Sequence, residues 1–419
     1  MKLNRRELIQ GGAALAAATS APLLWAADSV KIGYVSPQTG PLAPFGEADK
    51  WVIDQMKTAF KDGIVIGGKK HDVQIILKDS QSNPNRAGEV ANDLILKDKV
   101  DLVVATSTPE TTNPVADACE LNEVPCLTTM TPWQAWFFGR KGDPAKGFNW
   151  TYHFFWGLED VIAVFTNMWK SVPTNKKVGG LFPNDSDGNV WGDAKLGLPP
   201  ALASMGFALT DPGRFQNMTQ TLASHISAFK RDSVEIVTGV VIPPDMKTFL
   251  TQARQQGFKP KVISVAKALL YPATVEAVGD LAEGVTTEVW WTPSYPFTSS
   301  LTKQSAKALG DAYETSTKKQ WTQPIGFSHG LLEVAVDVLK RTKDVGSKAA
   351  IRDAVAATDL NTIVVPVKFG GTGPMRNVSK TPLVGGQWVK GSRTKYELVI
   401  VDNQTMPSIP AGGKLRLLA

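Results

Sequence analysis

Short runs of β-branched residues alternate with segments of helical spacing along most of this chain, and that alternation constrains the fold more than any other feature. VKIGYVS (30–36) ends at the turn-forming Pro37-Gln38-Thr39-Gly40-Pro41, and a helical pattern follows over 46–61. VQIILKD (73–79) is cut by Ser82-Asn83-Pro84, where Asn83 suits a helix cap and Pro84 a first helical turn; that helix runs to about 97. DLVVAT (101–106), a helix over 112–122 and VPCLTT (124–129) complete a first series. A second series begins at KKVGGLF (176–182). Its later strands fall at 207–210, 234–241, 262–265 and 284–291, and its helices at 194–205, 218–231, 244–256 and 272–278. Helical patterns at 301–319, 326–342 and 347–357 follow, and TIVVPVKF, QWVKG and YELVIV read as antiparallel strands. Strands separated by helices imply βαβ units and parallel sheets, so the chain predicts two Rossmann-like α/β lobes.

In open parallel sheets ligands sit beyond the carboxyl ends of strands, and in two-lobed proteins they sit in the cleft between lobes. The loops so selected carry Gln38, Phe45, Ser107, Thr108, Met130, Thr131, Trp133, Trp136, Trp191, Lys267, Trp290 and Trp291. Small hydroxyls beside large aromatics suit a small organic ligand.

Size and charge narrow the class. A chain of 419 residues, 43% apolar, can bury a core in each lobe. Its net charge of +6 is dispersed in pairs such as Lys69-Lys70, which disfavours nucleic acid as a partner. Residues 1–26 read as an export signal. Arg5-Arg6 precedes the mildly apolar GGAALAAATSAPLL, and Leu24-Trp25-Ala26 offers a cleavage point. The pair resembles a twin-arginine signal, although NRRELIQ departs from the usual motif. No cysteine follows the cleavage region, so the expectation is a periplasmic protein without a lipid anchor or a later membrane span. Cys119 and Cys126 are read as two buried thiols, and His71, His153, His225 and His329 are too scattered for a metal site. No cofactor or metal is expected.

The ordered set of segments resembles the leucine/isoleucine/valine-binding protein family, the type I periplasmic solute-binding proteins of ABC importers. VKIGYVSPQTGPLAPFGEA carries the family's GP-x-A-x-(Tyr/Phe)-G turn. VQIILKDSQSNPNRAGEVANDLI, DLVVATSTPETTNPVADACELNEVPCLTT, FLTQARQQGFKPKVIS and LAEGVTTEVWW match later family segments, so the likeness covers about 28–419. It implies a three-stranded hinge with the ligand cleft between the lobes. Lobe one would comprise 28–150 and 292–361, and lobe two 151–291 and 362–419. It also implies a monomer that captures a small-molecule ligand and delivers it to an importer permease in the inner membrane, with no enzymatic role. An extracytoplasmic ligand sensor of the same fold is the alternative, disfavoured by the absence of an attached output domain.

By that resemblance Ser107, Thr108 and the stretch from Met130 through Thr131 to Trp133 would hold a ligand carboxylate. Phe45 would line the cleft, and Trp191, Pro243 and Lys267 would close over the ligand. Where amino-acid binders of the family place a glutamate for the ligand ammonium, this chain has Ala266 followed by Lys267. That departure disfavours an ordinary amino acid unless Glu110 or Glu159 substitutes, and Lys267 would favour a ligand carboxylate instead. The stretch TPWQAWFF (131–138) falls at the same wall. Trp133, Trp136, Trp156, Trp290 and Trp291 are each candidates for cleft or core, with at least two expected to face the ligand; flat indoles suit an aromatic ligand or a quaternary ammonium. Phe137 and Phe138 are assigned to the core. NDSDGN (184–189) lacks the later glutamate of a calcium loop and reads as a turn, and GGTGP (370–374) does not open a helix that could cradle phosphate.

Overall fold

The computed structural model describes residues 28–370 and 373–418, so the expected export signal and part of GGTGP lie outside the described residues. Among them no helix is long and apolar enough to cross a membrane. Two seven-stranded sheets form the two lobes. The first contains β1 (Asp28–Ser36), β2 (Ile64–Ile66), β3 (Lys69–Asp79), β4 (Leu102–Thr106), β5 (Cys126–Thr129), β6 (Thr151–Phe154) and β14 (Val378–Ser379), in the order β14-β6-β5-β4-β1-β3-β2. The second contains β7 (Lys177–Leu181), β8 (Ala208–Thr210), β9 (Ile236–Val240), β10 (Val262–Ala266), β11 (Thr286–Val289), β15 (Val384–Lys390) and β16 (Tyr396–Asp402), in the order β16-β15-β11-β10-β9-β7-β8. β12 (Asp359–Asn361) and β13 (Pro366–Lys368) form a small antiparallel pair.

The central pairings are parallel, as between β1 and β4, where Ile32 faces Leu102. A parallel strand is covered on both faces, which is why β4, β9 and β10 are buried throughout and mostly apolar. The helices Pro84–Leu96 and Pro109–Leu121 cover one face of the first sheet through Val35, Ala91, Leu94, Val103 and Val115. Asn83 caps the first of them, its side chain accepting the Arg86 N–H at 3.1 Å. The long helix Pro324–Arg341 covers the other face and is buried almost all round. Gly326 lets Trp291 lie against it, since a Cβ there would meet the indole ring at 2.3 Å.

The chain passes between the sheets three times, after Phe154, after Val289 and after Ser379. Lys380, on the third crossing, pairs with Glu159 at 2.6 Å and Asp160 at 2.9 Å beside the first. On the second, the buried Gln323 side chain accepts the Trp290 N–H at 2.8 Å and donates to the Glu288 carbonyl at 3.1 Å. The first pairing joins the third crossing to the first, and the second holds the second crossing to the start of the helix Pro324–Arg341.

Several segments differ from the sequence reading. Thr151–Phe154 and the helix Leu158–Lys170 have no counterpart in it, because the aromatic run between them hides the change of period at Gly157. The sequence places residues 151–154 and 378–379 in the second lobe, yet they hydrogen-bond in the first sheet, Val378 facing His153. NDSDGN is not a simple turn: Asp185 caps the helix Ser186–Trp191, accepting the Gly188 N–H at 2.7 Å. Phe137 is buried, but Phe138 is 45% exposed at the rim. Cys119 and Cys126 are both free and buried.

Candidate functional site

The carboxyl ends of the two sheets face each other across a cavity. Phe45, Thr108, Met130 and Pro132 line it from the first lobe, Phe155 and Trp156 from the first crossing. Asp187, Trp191, Val240, Ala266, Lys267, Leu270, Glu288 and Trp290 line it from the second lobe and the second crossing. Its volume is about 30 Å³, room for a water molecule or two. Phe45 and Tyr271 touch edge-on across the cleft with ring centroids 5.3 Å apart.

Strained backbone marks the strand ends at this cavity. Ser107, Met130 and Lys267 directly follow β4, β5 and β10, and their φ angles are +114°, +67° and +72°. Each such conformation in a non-glycine residue costs about 1–3 kcal/mol and persists only where its surroundings enforce it. At β4 and β5 the enforcement is visible. Thr131 donates its hydroxyl to the Ser107 carbonyl at 2.9 Å, and His153 Nε2 donates to the Thr131 carbonyl at 2.7 Å. His153 Nδ1 faces Thr128 Oγ1 at 2.8 Å. Burial pushes the His153 imidazole down to about 3, with nearby Arg140 adding to the effect, so the ring stays neutral and holds this arrangement.

Seven of the residues selected from sequence therefore line the cavity: Phe45, Thr108, Met130, Trp156, Trp191, Lys267 and Trp290. The others do not, each for a packing reason. Gln38 donates its side-chain amide to Ser36 Oγ at 2.8 Å and to the Gly46 carbonyl at 3.1 Å. Ser107 and Thr131 are fully buried in the loop bond just described. Trp133 donates its indole N–H to Glu159 at 3.1 Å, tying the wall to the first crossing. Trp136 stacks on His153 at 4.9 Å, and the Arg140 guanidinium lies 4.7 Å over its ring. Trp291 packs edge-on against Trp321 behind the cavity. Pro243 opens the helix Pro243–Gln255 and points no group at the site. Of the five indoles weighed as wall or core, Trp156 and Trp290 line the cavity.

The Lys267 ammonium already has acidic neighbours. It lies 2.8 Å from Asp187, 3.7 Å from Asp185 and 3.7 Å from Glu110 of the facing lobe. Burial opposes its charge, but the carboxylates of Asp187, Glu110 and Asp185 overcome that and hold it well above the usual lysine range. Asp187 is pushed up to about 7, by burial first and then by repulsion from Glu110 and Asp185, with Lys267 opposing. Glu110 also accepts the Ser186 N–H at 3.2 Å, a second link between the lobes. Glu288 accepts the Lys267 backbone N–H at 2.9 Å and the Thr287 hydroxyl at 2.7 Å; burial pushes it up to about 7. Sequence reasoning missed Asp185, Asp187 and Glu288. The signals are an Asp-x-Asp pair that also reads as a turn and a lone acid inside a fully buried strand.

The raised Glu288 has a measurable consequence. A carboxyl whose folded value lies above its unfolded one favours folding at low pH, and that advantage is lost as pH rises through the folded value. Between pH 6 and pH 8 Glu288 should cost the protein roughly 1 kcal/mol of stability. Glu288→Gln is expected to flatten the pH slope of the urea midpoint by that amount; an unchanged slope would mean that the carboxyl titrates normally.

Two parallel α/β lobes, three crossings and a cleft at the strand ends define a two-lobed solute-binding protein of type I. The profile of the periplasmic binding protein family matches residues 29–391, and the chain belongs to that family. Among curated proteins no match is found. The leucine-binding protein LivK of Thermotoga maritima is similar in structure, with TM-score 0.69 and 19% identity over 90% of this chain and 99% of its own. LivJ of Streptococcus pneumoniae in complex with isoleucine gives TM-score 0.69 and 16% identity over 89% of this chain and 100% of its own. A solute-binding protein of R. palustris in complex with 4-hydroxybenzoate gives TM-score 0.70 and 16% identity over 91% of this chain and 98% of its own. The family is extracytoplasmic, and its members are substrate-binding proteins rather than enzymes.

Proposed function

We propose that this protein is exported, by the twin-arginine route, and serves as the solute-binding component of an ABC importer of the branched-chain amino-acid type. It captures a small organic ligand by closure of its lobes and presents the closed form to a membrane permease as a monomer. The observation that carries this reading is the cavity itself, lined from both lobes and too small for an organic ligand until they separate. Closure is then selected by contacts that exist only when Trp191, Lys267 and Leu270 meet Thr108, Met130 and Trp156. Aromatic walls suit a ligand with an apolar face, either an aromatic compound or an amino acid. The isoleucine and 4-hydroxybenzoate bound by the structural neighbours span that range.

The test is a thermal-shift screen of the mature protein against branched-chain and aromatic amino acids, aromatic carboxylates, amides and quaternary ammonium compounds. A ligand at about a hundred times its dissociation constant stabilises by about 2.7 kcal/mol, a shift of a few degrees. Trp191→Phe should abolish or shrink the shift. No shift with any compound would sink the capture reading, and a shift indifferent to Trp191→Phe would move the site elsewhere.

A further inference from the structure

The charge balance of the cavity is one-sided. Lys267, Asp187 and Glu288 are the ionisable groups among its lining residues, one base against two acids. Glu110 and Asp185 stand 3.7 Å from the same ammonium, and Asp245 lies behind Asp185. Lys267 has taken one oxygen of Asp187, at 2.8 Å. The other, Oδ1, is buried without a hydrogen-bond partner, on a residue that is 3% exposed. An uncompensated acceptor in such a place is costly, and a cationic group is the partner that satisfies it best. The indoles of Trp156, Trp191 and Trp290 line the same space, and an indole ring attracts a cation placed over its face.

We propose that the cavity takes an organic cation, an amine or quaternary ammonium seated between the indole faces and the carboxylates of Asp187 and Glu288. The proposal rests on the reading of the cleft as the capture site and names the ligand class. An anionic ligand would meet an excess of acids, and the one base there is already shared by three of them. A cation instead compensates the acids and completes the shell of Asp187. Since Asp187 and Glu288 are held partly protonated near neutral pH, by burial above all, the cation drives a proton out as it binds. Affinity therefore rises with pH between 6 and 8. The groups setting that dependence are Glu110 from the first lobe, Asp185, Asp187, Asp245, Glu288 and Lys267 from the second.

The experiment is calorimetric titration of the mature protein with three probes of similar size. They are choline, its uncharged isostere 3,3-dimethylbutan-1-ol, and benzoate. Choline is expected to bind at least tenfold more tightly than either of the others. In two buffers of different ionisation heat at pH 7 its titration should show net proton release. Asp187→Asn should weaken choline at least tenfold and reduce the proton count. Glu288→Gln should do the same to a smaller degree, and serves alone if the first variant does not fold. Tighter binding of benzoate or of the neutral isostere overturns the cation assignment and leaves the capture reading standing. Binding of none of the three overturns the assignment too, and the capture reading is then decided separately by the wider thermal-shift panel.

Discussion

Replacing Lys267 with methionine is expected to destabilise the protein by about 3–5 kcal/mol at pH 8, the cost of breaking a buried ion pair from one side. Lys267 is 5% exposed, and its ammonium is the cation that Asp187, Asp185 and Glu110 share. Without it the buried Asp187 is left unpaired beside Asp185 and the part-exposed Glu110. The loss should be smaller at pH 5, because Asp187 already sits at about 7 and then folds in its protonated form. Denaturant unfolding at the two pH values reads both effects. A double variant with Asp187→Asn should recover part of the stability, since the two changes act on one contact. If Lys267→Met is neutral at pH 8, the lysine is not compensating those acids and the charge account of the cavity fails.

Trp136→Ala is expected to cost about 3–5 kcal/mol in stability through the void it leaves. This indole is fully buried against Phe148, whose ring centroid is 5.1 Å away, and it stacks on His153. His153 in turn fixes the Thr131 carbonyl beside the cavity. Ligand affinity of the folded fraction should fall only modestly, because Trp136 does not itself line the cavity. A large loss of affinity with unchanged melting temperature would put this indole on the ligand and redraw the site. The stretch TPWQAWFF therefore divides between core and wall. Its indoles and Phe137 build and anchor the wall, and the residues flanking them, Met130 and Pro132, form its surface.

Much of the architecture was legible in the residues. β4, β9 and β10 are short apolar strands bounded by polar turns, and the Asn83-Pro84 start of a helix is a local signal with a local cause. Where the local signal was weak, the reading failed. β6 is four residues long and runs straight into Phe155 and Trp156, so nothing in its period separates strand from crossing. At Ser186–Trp191 the cap and the turn use the same residue types, and only the hydrogen bond from the Gly188 N–H to Asp185 distinguishes them.

The sequence by itself determined that the chain forms two parallel α/β lobes and that its loops at the strand ends carry hydroxyls, indoles and Lys267. Those properties follow from periodicity, turn chemistry and the rule that parallel sheets present their carboxyl ends to ligands. Only the tertiary structure decided which indoles face the cavity, because a tryptophan packs equally well in a core or a wall and its spacing is the same in both. It alone decided the sign of the charge there as well. Lys267 and Asp187 are 80 residues apart, Glu110 belongs to the other lobe, and electrostatic balance depends on distance in space, on which the order of residues is silent.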